Sequence, residues 1–113
     1  MFKVIIVGGQ ETENYDFFKA KCIACLKNRT QEGIMIYSTG DTFVDVFAKR
    51  YGINVRIFDT DWKTHGKQAL KERNEMMLSD CDAVIVFRGD LKDNAYILKM
   101  ASEKQIPFRN IRQ

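Results

Sequence analysis

One proline, one histidine, one tryptophan and three cysteines are spread over 113 residues, and each scarcity excludes a class of protein. A single proline and no polar tract rule out a proline-rich linker or a low-complexity segment. Three cysteines, an odd number, do not make a disulfide scaffold and fit a reducing compartment, so a cytoplasmic protein is expected. Cys22 and Cys25 have redox-motif spacing, but they fall inside a helical pattern on its apolar face, where core packing is expected. With His65 the only histidine and Cys81 the remaining thiol, metal-ligand spacing is missing and no metal is expected. No run approaches the roughly 18 to 20 apolar residues of a membrane span. The start, Phe2 followed by Val4 to Val7, lacks the apolar region and small-residue cleavage site of a secretory signal.

A block of one charge is also missing. The 18 basic and 15 acidic side chains, net +3, are mixed along the chain, so nucleic acid is not an expected partner. The nearest basic groups are Lys19, Lys21, Lys27 and Arg29, and separately Arg109 and Arg112; both read as solvated faces. Apolar residues make up 45% and charged residues 29%, the balance of a globular chain, and residues 1–113 are expected to form one domain.

Short apolar runs alternate with helical patterns. Lys3 to Val7 is a β-branched run ending in Gly8-Gly9, as a strand buried on both faces should be. Asn14 is placed to cap a helix over Tyr15 to Asn28. Ile34 to Tyr37 is a second strand, followed by Ser38-Thr39-Gly40 and a helix capped by Asp41 or Thr42, with Gly52 at its left-handed end. Ile53 to Phe58 alternates as an edge strand with Arg56 on one face. A further helix starts within Asp61 to Met77, Ala83 to Phe87 is a second central strand, and a helix over Lys92 to Lys104 precedes Pro107 and a last strand, Phe108 to Ile111. Strict βα alternation predicts an α/β, three-layer Rossmann-like fold: a five-stranded parallel sheet in the order 3-2-1-4-5 with helices on both faces.

In such a sheet the ligand crevice lies beyond the carboxyl ends of the strands where the winding reverses, here between the first and fourth strands. The loops at that edge are Gly8-Gly9-Gln10, Ser38-Thr39-Gly40-Asp41, Asp59 to Lys67 and Arg88-Gly89-Asp90. Glycines beside helix starts let backbone N–H groups approach an anion, a chemistry that suits a nucleotide. The third glycine of the dinucleotide fingerprint and the Gly-Lys-Ser/Thr of a P-loop are both lacking.

The stretch DWKTHGKQALKERNEMM breaks local rules. On a helix, Ala69, Leu70, Met77 and Cys81 share a face, yet Arg73 and Asn74 fall in that sector. Either they reach the crevice, or Arg73 pairs with Glu72, Asp80 or Asp61 while Asn74 ties down a loop. Lys67 at the helix start suits a phosphate. Trp62 can stack a base or plug the sheet end, and His65 can act as an acid or base or simply pack.

Together, KVIIVGG, the later STG loop with Asp45, this stretch, and DAVIVF resemble the YspA-like proteins, a small-domain family of the SLOG (SMF/DprA and LOG) superfamily of Rossmann-like nucleotide and ligand binders. Trp62, Gly66, Lys67, Ala69, Arg73, Asn74 and Met77 carry the most specific part. The resemblance covers essentially the whole chain. It implies a nucleotide or nucleotide-derived small molecule as partner, no bound cofactor, and a site formed by Gly8, Gly9, Gln10, Ser38, Thr39, Gly40, Asp45, Trp62, Gly66, Lys67, Arg73, Asn74, Arg88 and Gly89. The chain departs from the family at Gln10, at Asp41-Thr42-Phe43 and at Asp93-Asn94, where arginines and a Gly-Thr pair are usual. The superfamily also contains nucleoside-monophosphate N-glycosidases and single-strand DNA binders, so a hydrolase and a DNA or protein interaction module stand as alternatives; no catalytic residue is assigned. Self-association is expected from Tyr15, Phe17 and Tyr96.

Overall fold

The computed structural model describes residues 1–60 and 66–112, the latter without the side chain of Lys67. Among the described residues five strands alternate with four helices: β1 (Phe2–Val7), α1 (Tyr15–Leu26), β2 (Ile34–Ser38), α2 (Thr42–Arg50), β3 (Asn54–Ile57), α3 (Ala69–Leu78), β4 (Ala83–Phe87), α4 (Lys92–Glu103) and β5 (Phe108–Ile111). Short 3-10 turns occupy Gln10–Thr12, Gln31–Gly33 and Gly66–Gln68. The strands form one parallel sheet in the order β3-β2-β1-β4-β5. None of the described helices is long and apolar enough to cross a membrane.

The caps explain where the helices begin. The Asn14 side chain accepts from Phe17 N at 3.0 Å, and Asp41, rather than Thr42, caps α2 by accepting from Phe43 N and Val44 N. Gly52, at φ +63°, takes the left-handed position after α2. Asp61, Trp62 and His65, which the sequence reading placed in the approach to α3, lie outside the described residues.

Pleating of β1 divides its side chains between two cores. Val4 and Ile6 join Phe18, Cys22 and Phe47 on the face covered by α1 and α2. Ile5 and Val7 join Met77, Leu78 and Ile97 on the face covered by α3 and α4. This is the three-layer arrangement, and it is why β1 is apolar at successive positions rather than at alternate ones. Arg56, on the exposed edge strand β3, lies over the Phe58 ring with its guanidinium carbon 4.4 Å from the centroid. Tyr15 and Phe17 pack partly buried against the first core; the exposed large apolar residues include Val55, Ile57 and Met76.

The amino edge of the sheet is tied by charge. Lys3 Nζ pairs with Asp80 at 2.9 Å, the Tyr37 hydroxyl donates to the other Asp80 oxygen at 2.9 Å, and Lys3 N donates to Asp82 at 2.8 Å. The hydrogen bonds from Lys3 and Tyr37 hold the Asp80 carboxyl below the usual carboxylate range. A depressed folded pKa stabilises above the unfolded value, and the contribution is lost as pH falls through the folded value. Asp80→Asn should therefore lower the urea midpoint at pH 7, and its gap from the natural chain should close in acid. A gap that stays constant across pH would assign the loss to packing instead of charge.

Candidate functional site at the carboxyl edge

The first loop is shaped by packing. Gly8 has φ +80°, and a Cβ there would overlap the Phe87 carbonyl oxygen and come within 2.9 Å of Asn94 Nδ2. A Cβ on Gly9 would overlap the Phe18 ring. These glycines let the loop lie flat across the end of β4 and over the first core. Thr12 is buried and donates its hydroxyl to Gly9 O at 2.7 Å, closing the turn.

The second loop is bracketed to the first. Gln10 N donates to the two Asp41 carboxylate oxygens at 3.1 and 3.2 Å, while Gln10 Oε1 accepts from Thr42 N at 2.9 Å. Asp41 is only 6% exposed. Burial pushes its carboxyl above the usual range, although backbone N–H groups of Gln10, Val44, Gly9 and Phe43 pull the other way. A buried carboxyl thus sits where the amides of the glycine loop meet the start of α2. Ser38, fully buried, donates to Asp45 Oδ1 at 2.9 Å and accepts from Gly40 N at 3.1 Å. Thr39 is half-buried and Gly40 exposed with φ +91°.

At the winding switch between β1 and β4 the residue that closes the gap is Asn94. Only 6% exposed, it donates from Nδ2 to Phe87 O and Arg88 O, both at 3.1 Å, and to Glu11 Oε1 at 3.3 Å. Arg88 has φ +54°. Its guanidinium pairs with Asp90 through Nε at 2.9 Å and Nη2 at 3.0 Å, and Nη1 reaches Glu11 O at 3.2 Å. A Cβ on Gly89 would crowd Asn110 Oδ1 and Leu98, so this glycine also serves close packing.

The third cluster is on α3. Asn74, 2% exposed, accepts through Oδ1 from Nε and Nη2 of Arg73 at 3.3 and 3.1 Å, and Arg73 Nη1 donates to Thr60 Oγ1 at 3.1 Å. Among the described residues no carboxylate lies within ion-pair distance of Arg73. Burial lowers the affinity of its guanidinium for the proton, and Asp93 at the start of α4 works in the opposite direction. Of the acids considered as its partner, Asp80 is engaged by Lys3 and Tyr37 at the other edge of the sheet. Asp61 lies outside the described residues, as does Trp62; Gly66, at φ +55°, opens the 3-10 turn that contains Lys67.

The expected residues therefore separate into three groups. Gly9, Gln10 and Asp41 form one bracket, with Ser38, Gly40 and Asp45 beside it. Gly8 and Arg88 meet Asn94 and Glu11, with Gly89 packed next to them on Asn110 and Leu98. Arg73 and Asn74 stand with Thr60, and Asp93 links them to Asn94 along the chain. A cavity of about 600 Å³ opens one strand away from the switch, lined by Arg88, Gly89, Asp90, Asn110, Ile111 and Arg112. Glu11, Thr12, Thr60 and Asn94 were not singled out from sequence as site residues. Asn94 was marked only as part of Asp93-Asn94, the departure from the Gly-Thr pair usual in the family. No group of three or more His, Cys, Asp or Glu among the described residues could hold a metal ion.

No protein-family model, curated protein or solved structure gives a significant match to this chain. The fold and its edge define a doubly wound α/β domain whose switch point is closed by a carboxamide and flanked by a half-buried guanidinium.

Proposed function

We propose that this domain binds a nucleotide or nucleotide-derived small molecule at the carboxyl edge of its sheet, as a YspA-like member of the SLOG superfamily. The observation that carries the reading is Arg73: a half-buried guanidinium beside the winding switch, held in place by Asn74 and Thr60 but not neutralised by a described carboxylate. Keeping a charge partly desolvated without an ion partner is unfavourable, and an anionic ligand group removes that penalty. Among the described residues, three of the five guanidinium N–H donors find partners, and the ligand is proposed to take the remaining two.

Asp41 determines which anion contact is available. Its carboxylate already holds the Gln10 amide and the first amides of α2, and a phosphate beside it would meet a like charge. The ligand's anionic group therefore belongs against Arg73, and Asp93 and Glu11 offer acceptors for sugar hydroxyls nearby. The resemblance of Gly66, Lys67, Arg73 and Asn74 to the family pattern supports the same location.

A thermal-shift screen of nucleoside mono- and diphosphates, ADP-ribose, sugar phosphates and inorganic phosphate tests the proposal. At least one compound should stabilise the chain, by about 2.7 kcal/mol at a hundredfold excess over Kd. The shift should vanish in Arg73→Ala while the Asp41 variants described below retain it. A screen without a stabiliser, or a shift undiminished in Arg73→Ala, overturns the reading.

A further inference from the structure

Two basic groups that are far apart in sequence meet in one groove. On the α4 side β5 is packed by that helix. On the other side Arg109 and Ile111 take the register positions of Ile85 and Phe87, which belong to the core under α1 and α2. Between α1 and β5 on that side is an open channel of about 330 Å³ lined by Lys21, Ala24, Cys25, Arg109, Ile111 and Arg112, among others. It shares Asn110, Ile111 and Arg112 with the 600 Å³ cavity at Arg88. At its other end, Cys25 and Arg109 are shared with a smaller apolar cleft floored by Val4, Leu26 and Ile85.

The channel has an apolar floor and cationic walls. No described carboxylate lies within ion-pair distance of Arg109 or Arg112. Arg109 and Lys21 both pull down the pKa of the Cys25 thiol, which burial raises, so the two cations act on the middle of the channel from opposite sides. The acid at the mouth, Asp90, is already paired with Arg88. A second copy of the same surface would oppose arginine to arginine and is disfavoured. An extended nucleic acid would satisfy the cations but leave the apolar floor uncovered; among the described residues the channel's own lining carries no aromatic ring, and Phe2 and Phe108 lie beyond it in the apolar cleft.

We infer that the groove between α1 and β5 docks an acidic amphipathic helix of a partner protein, laid beside α1 with its apolar stripe on Cys25 and Ile111 and its carboxylates toward Lys21, Arg109 and Arg112. This is helix-in-groove recognition with charge complementarity supplying orientation. It is independent of the Arg73 cluster, which lies on the opposite face of the sheet.

The test uses the full chain and a dye-labelled peptide of about 14 residues, four helical turns, with leucines at i, i+3, i+4 and i+7 and glutamates flanking them. Fluorescence anisotropy should show saturable binding that weakens with salt. Arg109→Glu combined with Arg112→Glu should reduce affinity at least about tenfold, and Ala24→Trp, which fills the channel without changing charge, should reduce it as well. Both arginines are exposed, so an unchanged thermal midpoint is expected to show that the double variant folds. A peptide with lysines in place of the glutamates, and a scrambled acidic peptide without the stripe, should not bind. The inference fails if the acidic peptide does not bind, if the lysine or scrambled peptide binds equally well, if the double variant binds unchanged, or if a single-stranded oligonucleotide of similar length competes the peptide off and binds more tightly.

Discussion

Gly8→Ala is expected to destabilise the chain by about 3 kcal/mol, the sum of a left-handed backbone penalty and an overpacking term of one to a few kcal/mol each. Residue 8 holds φ +80°, and the added methyl would meet the Phe87 carbonyl, a backbone atom in the central strand pair that cannot rotate aside. The loop must lift, and Asn94 then loses its place between the ends of β1 and β4. Urea unfolding monitored by circular dichroism measures the loss directly. Gly40→Ala supplies the control: it has a comparable φ of +91° but open space around the missing Cβ, so only the backbone term of about 1 to 2 kcal/mol should appear. Equal losses at the two positions would show that contact with Phe87 contributes nothing.

Asp41→Ala is expected to lose about 2 to 3 kcal/mol, because it removes a helix cap together with the acceptor for buried amides of both loops. Gln10 N, Phe43 N and Val44 N all lose their partner. Asp41→Asn should lose less, since one carboxamide oxygen can keep the contacts now made by Oδ1. The pH dependence separates charge from geometry. Asp41 has a folded pKa raised above its unfolded value, so its contribution is fully present below the unfolded value and declines as pH rises through the folded one. Asp41→Asn has no such decline, and it should compare worst with the natural chain in acid and best near neutrality. Urea midpoints taken between pH 4 and 7 test this; a gap that widens with rising pH would mean that the carboxylate is stabilised, not penalised, by its site.

The strands and helices were legible because their signals are local. β1 and β4 read as continuous apolar runs, Asn14 and Asp41 as caps, and Gly52 as a helix stop, and each does what its chemistry requires. Strict alternation then left little freedom in the strand order. The edge chemistry was less legible because it depends on loops meeting. Asn94 looks like any polar residue in a first helical turn; it matters because β1 and β4 bring Glu11, Phe87 and Arg88 around it. Gly8, Gly9 and Gly89 were read as letting backbone N–H groups approach a ligand, and the sequence did not reveal that the place of each missing Cβ is taken by the chain itself. Gln10 stood out as a departure from arginine, and its use in holding Thr42 N and Asp41 could not be read without the distance between two loops. Arg73 and Asn74 were visible as an interruption of an apolar stripe, yet their mutual hydrogen bonds were not.

The place of β1 in the sheet also bears on synthesis. Its early positions pair with β2, while Val4 to Val7 pair with Ala83 to Val86 of β4, almost eighty residues later. During translation β1 can pair with β2, and β2 with β3, while the other edge of β1 waits unpaired. An interrupted or slowly translated chain lacking Ala83–Phe87 presents that edge to any neighbour, whether another nascent copy or a chaperone. Variants that weaken β4 or α4 should therefore reduce soluble yield more than an equal loss of stability in β3, where the exposed edge is short.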